Sequence, residues 1–65
     1  MPVIKLELIK MSKETKSKLV KEVTDVVARN TGLPIQSFYV FITENESDNV
    51  GIGGTLLSDI HINSK

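Results

Sequence analysis

At 65 residues the chain makes a single domain, residues 1–65, and one of this size buries only about 60% of the surface its unfolded form exposes. Its 40% hydrophobic and 25% charged residues describe a folding protein, not a disordered one. Eight Lys and Arg balance eight Asp and Glu, so there is no net positive field to attract nucleic acid or an anionic membrane.

With no cysteine and His61 as the one imidazole, disulfides and a structural metal are excluded as stabilisers, which leaves self-association. The N-terminus has no basic region followed by an apolar stretch, and no apolar run approaches the roughly 20 residues that span a bilayer. The expected location is the cytoplasm.

From Val3 to Ile9 the residues alternate, with Ile4, Leu6 and Leu8 on one face and Lys5 and Glu7 on the other, as in a half-buried strand. Ser12 offers an oxygen to the free N–H groups of a helix start, and Glu14 puts negative charge into the first turn. At about 100° per residue, Leu19, Val20, Val23, Val26 and Val27 share one arc, predicting the core-facing stripe of a helix. The opposite side carries Glu14, Lys18, Lys21, Glu22, Asp25 and Arg29. It reads as a solvated face with Glu14/Lys18 and Asp25/Arg29 spaced for pairing.

Gly32 suits the left-handed residue that closes a helix, and Pro34 keeps it from resuming. Phe38 to Thr43 is aromatic and β-branched and predicts a second strand. Strand, helix, strand favours a parallel pair. Glu44 to Asn49 reads as a polar loop, and VGIGGTLLSDIHI as short strands or a hairpin, with room for a final helical turn, reaching towards a neighbouring subunit. Two parallel strands under one helix leave both edges and much of one face open. A dimer joining two units into a four-stranded sheet repairs this.

The usual catalytic constellations are missing: no Ser/His/Asp set with a nucleophile motif, no His/Cys cluster for a metal, and no Walker-type loop. The GIGG segment, Gly51 to Gly54, lacks the third glycine of a dinucleotide fingerprint and reads as a tight turn. His61, flanked by Ile60 and Ile62, has no second base nearby in sequence and reads as a surface or interface residue.

Pro2 remains. A small second residue permits removal of the initiator Met, which frees a secondary amine. An α-amino group already titrates near neutrality, and an apolar pocket or a nearby cation lowers its proton affinity further. Such a group takes a proton and returns it elsewhere on a substrate, which is what a 1,3- or 1,5-keto–enol shift requires.

The opening PVIKLELI, the helix beginning at Ser12 with KLVKEVTDVVARNTG, the turn and strand GLPIQSFYVFITE and the terminal NVGIGG together resemble the 4-oxalocrotonate tautomerase family. The likeness spans Pro2 to about Leu57. It implies an α+β subunit with the tautomerase/MIF-like fold: a β-α-β unit with parallel strands and a short C-terminal hairpin. Two such units would form a four-stranded sheet, and a trimer of dimers a homohexamer. It further implies a cofactor-free isomerase with mature Pro2 as general acid/base. The substrate would be a small 2-keto or 2-hydroxydienoate acid, with no nucleic-acid or membrane partner.

The sequence departs from the family where the substrate carboxylate and the enolate oxygen are bound. The loop after the first strand is one residue shorter and offers Lys10 or Met11 in place of an arginine. A second arginine position aligns with Tyr39, and an aromatic position before GIGG aligns with Val50. Arg29, the one arginine, lies on the solvated helix face. Lys10 beside the free N–H groups of a helix start suits an anion, and the Tyr39 hydroxyl suits an oxyanion. Val50 would be an apolar wall of the pocket. Each also fits a plain role: a solvated loop lysine, an interface tyrosine, a core valine. With the arginines replaced, a non-catalytic oligomeric or ligand-binding member is the alternative reading, and hydration, dehalogenation or decarboxylation of a small acid remains open.

Overall fold

Alternation carries straight into the first strand, β1 (Val3–Leu8), in which Ile4, Leu6 and Leu8 are half-buried and Val3, Lys5 and Glu7 exposed. The computed structural model describes the backbone of residues 1–63 and the side chains of residues 1–60; the His61 and Ile62 side chains lie outside the described residues.

Helix α1 (Lys13–Thr31) begins where the sequence places it. The Ser12 hydroxyl accepts from the Thr15 N–H at 3.1 Å, meeting the need of an unpaired helical donor. It ends where Gly32 takes φ 75° and donates to the Ala28 carbonyl at 2.8 Å, a conformation a side chain resists. The stripe is rotated from expectation. Thr24 and Ala28 are the buried pair, 9% and 8% exposed, while Val26 is 48% exposed. Lys16, Val20, Thr24 and Ala28 follow one another at four-residue steps, and at about 100° per residue Val26 falls on the far side of the helix from Thr24 and Ala28. Asp25 pairs with Lys21 at 3.3 Å and not with Arg29; surface pairs are worth so little that neighbouring choices are nearly equivalent.

A 3-10 turn at Ile35–Ser37 follows. Because it uses the Phe38 N–H, which donates to Ile35, strand β2 starts one residue later than expected, at Tyr39, and runs to Glu44. β1 and β2 pair in parallel from Val3↔Tyr39 to Leu8↔Glu44. Val40 and Ile42 continue the half-buried face. The other face exposes Val3, Lys5, Glu7, Tyr39, Phe41 and Thr43.

After a 3-10 turn at Ser47–Asn49, β3 (Gly51–Ile52) and β4 (Thr55–Leu56) form the expected hairpin. Gly53 and Gly54 at φ 59° and 89° supply the two positive φ angles of the tight turn whose twist suits adjacent strands. The segment beyond takes the final helical turn for which the sequence left room: α2 (Leu57–Asn63) has Asp59 in its first turn, and the Leu57 N–H donates to the Val50 carbonyl at 2.7 Å. No helix among the described residues is long and apolar enough to cross a membrane.

The isolated subunit is poorly closed. It measures 44 × 24 × 16 Å with a radius of gyration of 15.4 Å, against about 11 Å for a compact domain of this length. Its accessible surface is 5184 Å², where a folded monomer of this size exposes about 4,100 Å².

Candidate active site

Pro2 enters β1 without needing an N–H of its own, and its carbonyl accepts from the Tyr39 N–H at 3.0 Å. The ladder begins there, with Val3 opposite Tyr39. Pro2 is half-buried. Tyr39, 52% exposed, stands on the sheet face away from α1, with Phe41 two residues along. One chain therefore brings together two of the four residues singled out from sequence.

Lys10 and Val50 belong to the opposite end. From Val3 to Leu8 the strand advances about 17 Å, and Lys10 lies two residues further on. Lys10 is exposed and lines a groove of about 310 Å³ with Ile9, Asn45, Glu46, Ser47 and Asp48. Val50 is half-buried and lines a second groove, of about 480 Å³, with Glu7, Leu8, Gly51 and Leu57. Ile9 and Asn45 border both grooves. Within one subunit Val50 therefore forms no wall around Pro2, and Lys10 cannot reach a substrate held there. A lysine side chain spans far less than the length of the sheet.

Glu44 is the residue that reading the sequence missed. Expected to open a polar loop, it is instead the last residue of β2. Its Oε2 accepts from the Met11 N–H at 3.1 Å and pairs with the Lys16 Nζ at 3.2 Å. The Met11 N–H foremost, then the Lys16 hydrogen bond, holds its carboxyl below the ordinary carboxylate value; partial desolvation opposes them, and the charges of Lys16 and Lys10 add to the lowering. The signal lay in the register. Once Pro2 and Tyr39 start the ladder together, residue 44 falls beside the end of β1 and the loop that leaves it.

The two ends offer different groups: at one, Pro2 tied through its carbonyl to the backbone of Tyr39; at the other, the exposed Lys10 and two grooves lined by polar and apolar residues together. Among the described residues no three His, Cys, Asp or Glu side chains gather as metal ligands.

Comparison with known proteins agrees with this architecture. Residues 2–60 match the family model described as "Tautomerase enzyme". A probable tautomerase of Lactiplantibacillus plantarum is 40% identical over 60 residues, covering 91% of this chain and 94% of that protein. A 2-hydroxymuconate tautomerase of Pseudomonas putida is 34% identical over 61 residues, covering 92% and 97%. Among solved structures, YwhB, a homologue of 4-oxalocrotonate tautomerase, superposes with a TM-score of 0.83 at 32% identity, covering 89% of this chain and 97% of that one. With its β-α-β unit matched in fold and its sequence matched almost end to end, the chain belongs to the Tautomerase family and is an isomerase.

Proposed function

We propose that the protein interconverts the enol and keto forms of a small 2-keto or 2-hydroxydienoate acid without a cofactor, using Pro2 as general acid/base once Met1 has been removed. The Pro2 nitrogen takes the hydroxyl proton of the dienol, the electron pair shifts to form the ketone, and the same nitrogen returns a proton to carbon. Atoms and electrons balance within the substrate, as a tautomerisation requires. The Tyr39 hydroxyl donates to the oxygen while it carries negative charge, and Lys10 binds the carboxylate. The 2-hydroxymuconate tautomerase relative supports this substrate class.

The observation that carries the reading is the separation of Pro2 and Tyr39 from Lys10 and Val50. A working site needs both ends, and a second copy supplies the missing one. A two-fold axis normal to the sheet reverses the partner end for end, so its Lys10 end lies beside the first copy's Pro2 end. The same step joins two pairs of strands into a four-stranded sheet. The subunit exposes 5184 Å², about 1,000 Å² more than a folded monomer of this size, which is no less than the roughly 800 Å² that one partner contributes to a standard interface. The open face of Val3, Tyr39 and Phe41 then meets further dimers, giving a homohexamer, a trimer of dimers. We place this assembly in the cytoplasm.

The test is ketonisation of a phenylpyruvate-like or hydroxymuconate-like dienol by wild type and Pro2→Ala. The variant is expected to lose most of the acceleration. Equal rates would end the proposal, as would an intact mass showing that Met1 is retained.

A further inference from the structure

We infer that Glu44 is a positioning residue for substrate binding: its carboxylate clamps the peptide between Lys10 and Met11 and so aims the Lys10 ammonium at the substrate's anionic group. This rests on the reading of Lys10 as the carboxylate-binding cation.

The clamped N–H belongs to the Lys10–Met11 peptide, whose carbonyl carbon is Lys10's own. Fixing that peptide plane at 3.1 Å restricts the backbone rotation that decides where Lys10's Cβ points. The same Oε2 holds the Lys16 Nζ at 3.2 Å. Lys16 is anchored in turn by α1, its N–H donating to the Ser12 carbonyl at 3.0 Å. One oxygen thus ties β2, the connecting loop and the first turns of α1. On the adjoining residue, the Asn45 N–H donates to the Leu8 carbonyl at 2.7 Å, closing the end of β1. The loop from Ile9 to Ser12 is therefore held on both sides of Lys10.

Charge points the same way. With Lys16 engaged by Glu44, Lys10 makes no ion pair among the described residues, and it is the one cation lining a groove that also holds Glu46 and Asp48. A lysine has a long, rotatable stem and lacks the fixed fork of a guanidinium. A site that relies on lysine gains more from an immobile backbone beneath it. Binding geometry is sensitive to small displacements of such a group.

The experiment compares Glu44→Ala, Glu44→Gln, Lys16→Met, Lys10→Ala and the Lys10→Ala/Glu44→Ala double variant, assayed on a dienol carrying a carboxylate and on a neutral dienol lacking it. Glu44→Ala is expected to raise KM for the acidic dienol about tenfold, the value of one hydrogen bond to a charged group, with kcat within about twofold. On the neutral dienol it should resemble wild type. Glu44→Gln keeps an oxygen for the Met11 N–H and recovers most of the loss. Lys16→Met keeps the stem and leaves KM near wild type. The double variant should be no worse than Lys10→Ala alone, because nothing remains to be aimed.

If Lys10→Ala raises KM and Glu44→Ala does not, the positioning role falls while the binding role stands. If Lys10→Ala changes nothing, both fall. Equal losses on acidic and neutral dienols also overturn the inference. Should Glu44→Ala fail to fold, the Met11 amide proton of the wild type decides by NMR: it must follow the titration of Glu44, whose charged neighbours are Lys16 and Lys10, and an amide that ignores it sinks the clamp.

Discussion

The Tyr39 N–H donates to the Pro2 carbonyl at 3.0 Å, so the residue proposed as the base is fixed to the second strand one position before the ladder begins. A mobile N-terminus could not hold its nitrogen against a substrate; one tied to β2 can.

Pro2→Ala, with Met1 removed, is expected to lower kcat on a dienol by about 100-fold or more, the range contributed by a positioned acid or base. The fold should be unaffected, because the Pro2 carbonyl that accepts from Tyr39 is backbone. Circular dichroism and steady-state kinetics on the same preparation check both parts.

Shared sites predict complementation. Pro2→Ala and Lys10→Ala proteins, each impaired alone, are unfolded together and refolded as a mixture. About a quarter of the sites should regain activity, the share in which an intact Pro2 meets an intact Lys10 from another copy. A site built within one chain would regain nothing.

Phe41 is 52% exposed on the open sheet face. Phe41→Lys places a second ammonium directly across from Lys5 where the proposed hexamer closes this face, and such an unpaired charge is costly to bury. Sedimentation should show the hexamer replaced by a smaller species. An unchanged sedimentation coefficient would argue against this face as an interface.

The Glu44 carboxyl is held below its ordinary value of 4.5, chiefly by the Met11 N–H and then by Lys16. The folded state therefore binds this proton less readily than the unfolded chain. Its stabilising contribution is complete above pH 4.5 and is lost as pH falls through the lower, folded-state value. Denaturant unfolding of wild type and Glu44→Gln should differ by a constant amount at neutral pH and converge in acid. A gap that persists to low pH would show that the carboxylate's charge is not its source.

Gly32 at φ 75° has open space around the position of an added Cβ. Gly32→Ala thus meets no clash, yet pays the left-handed backbone cost of about 1–2 kcal/mol. Loss of the Ser12 cap in Ser12→Ala should cost about 1 kcal/mol. Both appear as shifts in the denaturant midpoint with an unchanged slope.

Much of the fold was legible in the residues because it is written in local chemistry. The alternation of VIKLELI, the oxygen of Ser12, the freedom of Gly32 and the glycine pair at 53 and 54 each act within a few residues, and each gave an element close to its observed place. Where neighbours in space decided, the sequence was less informative. Val26 looked like core but lies across the helix from Thr24 and Ala28, the two residues that are buried. Phe38 looked like strand, but its N–H is used by the preceding turn. Glu44 looked like loop, although parallel register makes it the end of β2.

The sequence by itself determined the strand–helix–strand order, the glycine turn and Pro2 as a candidate base, since these follow from side-chain type and short-range spacing; Lys10, Tyr39 and Val50 became candidates through the resemblance to the tautomerase family. Only the tertiary structure decided that Pro2 and Tyr39 stand at one end of the sheet, Lys10 and Val50 at the other, and that Glu44 grips the loop between strand and helix. Those relations depend on the register of two strands separated by a whole helix in the chain, and spacing along the sequence carries no measure of distance across a sheet.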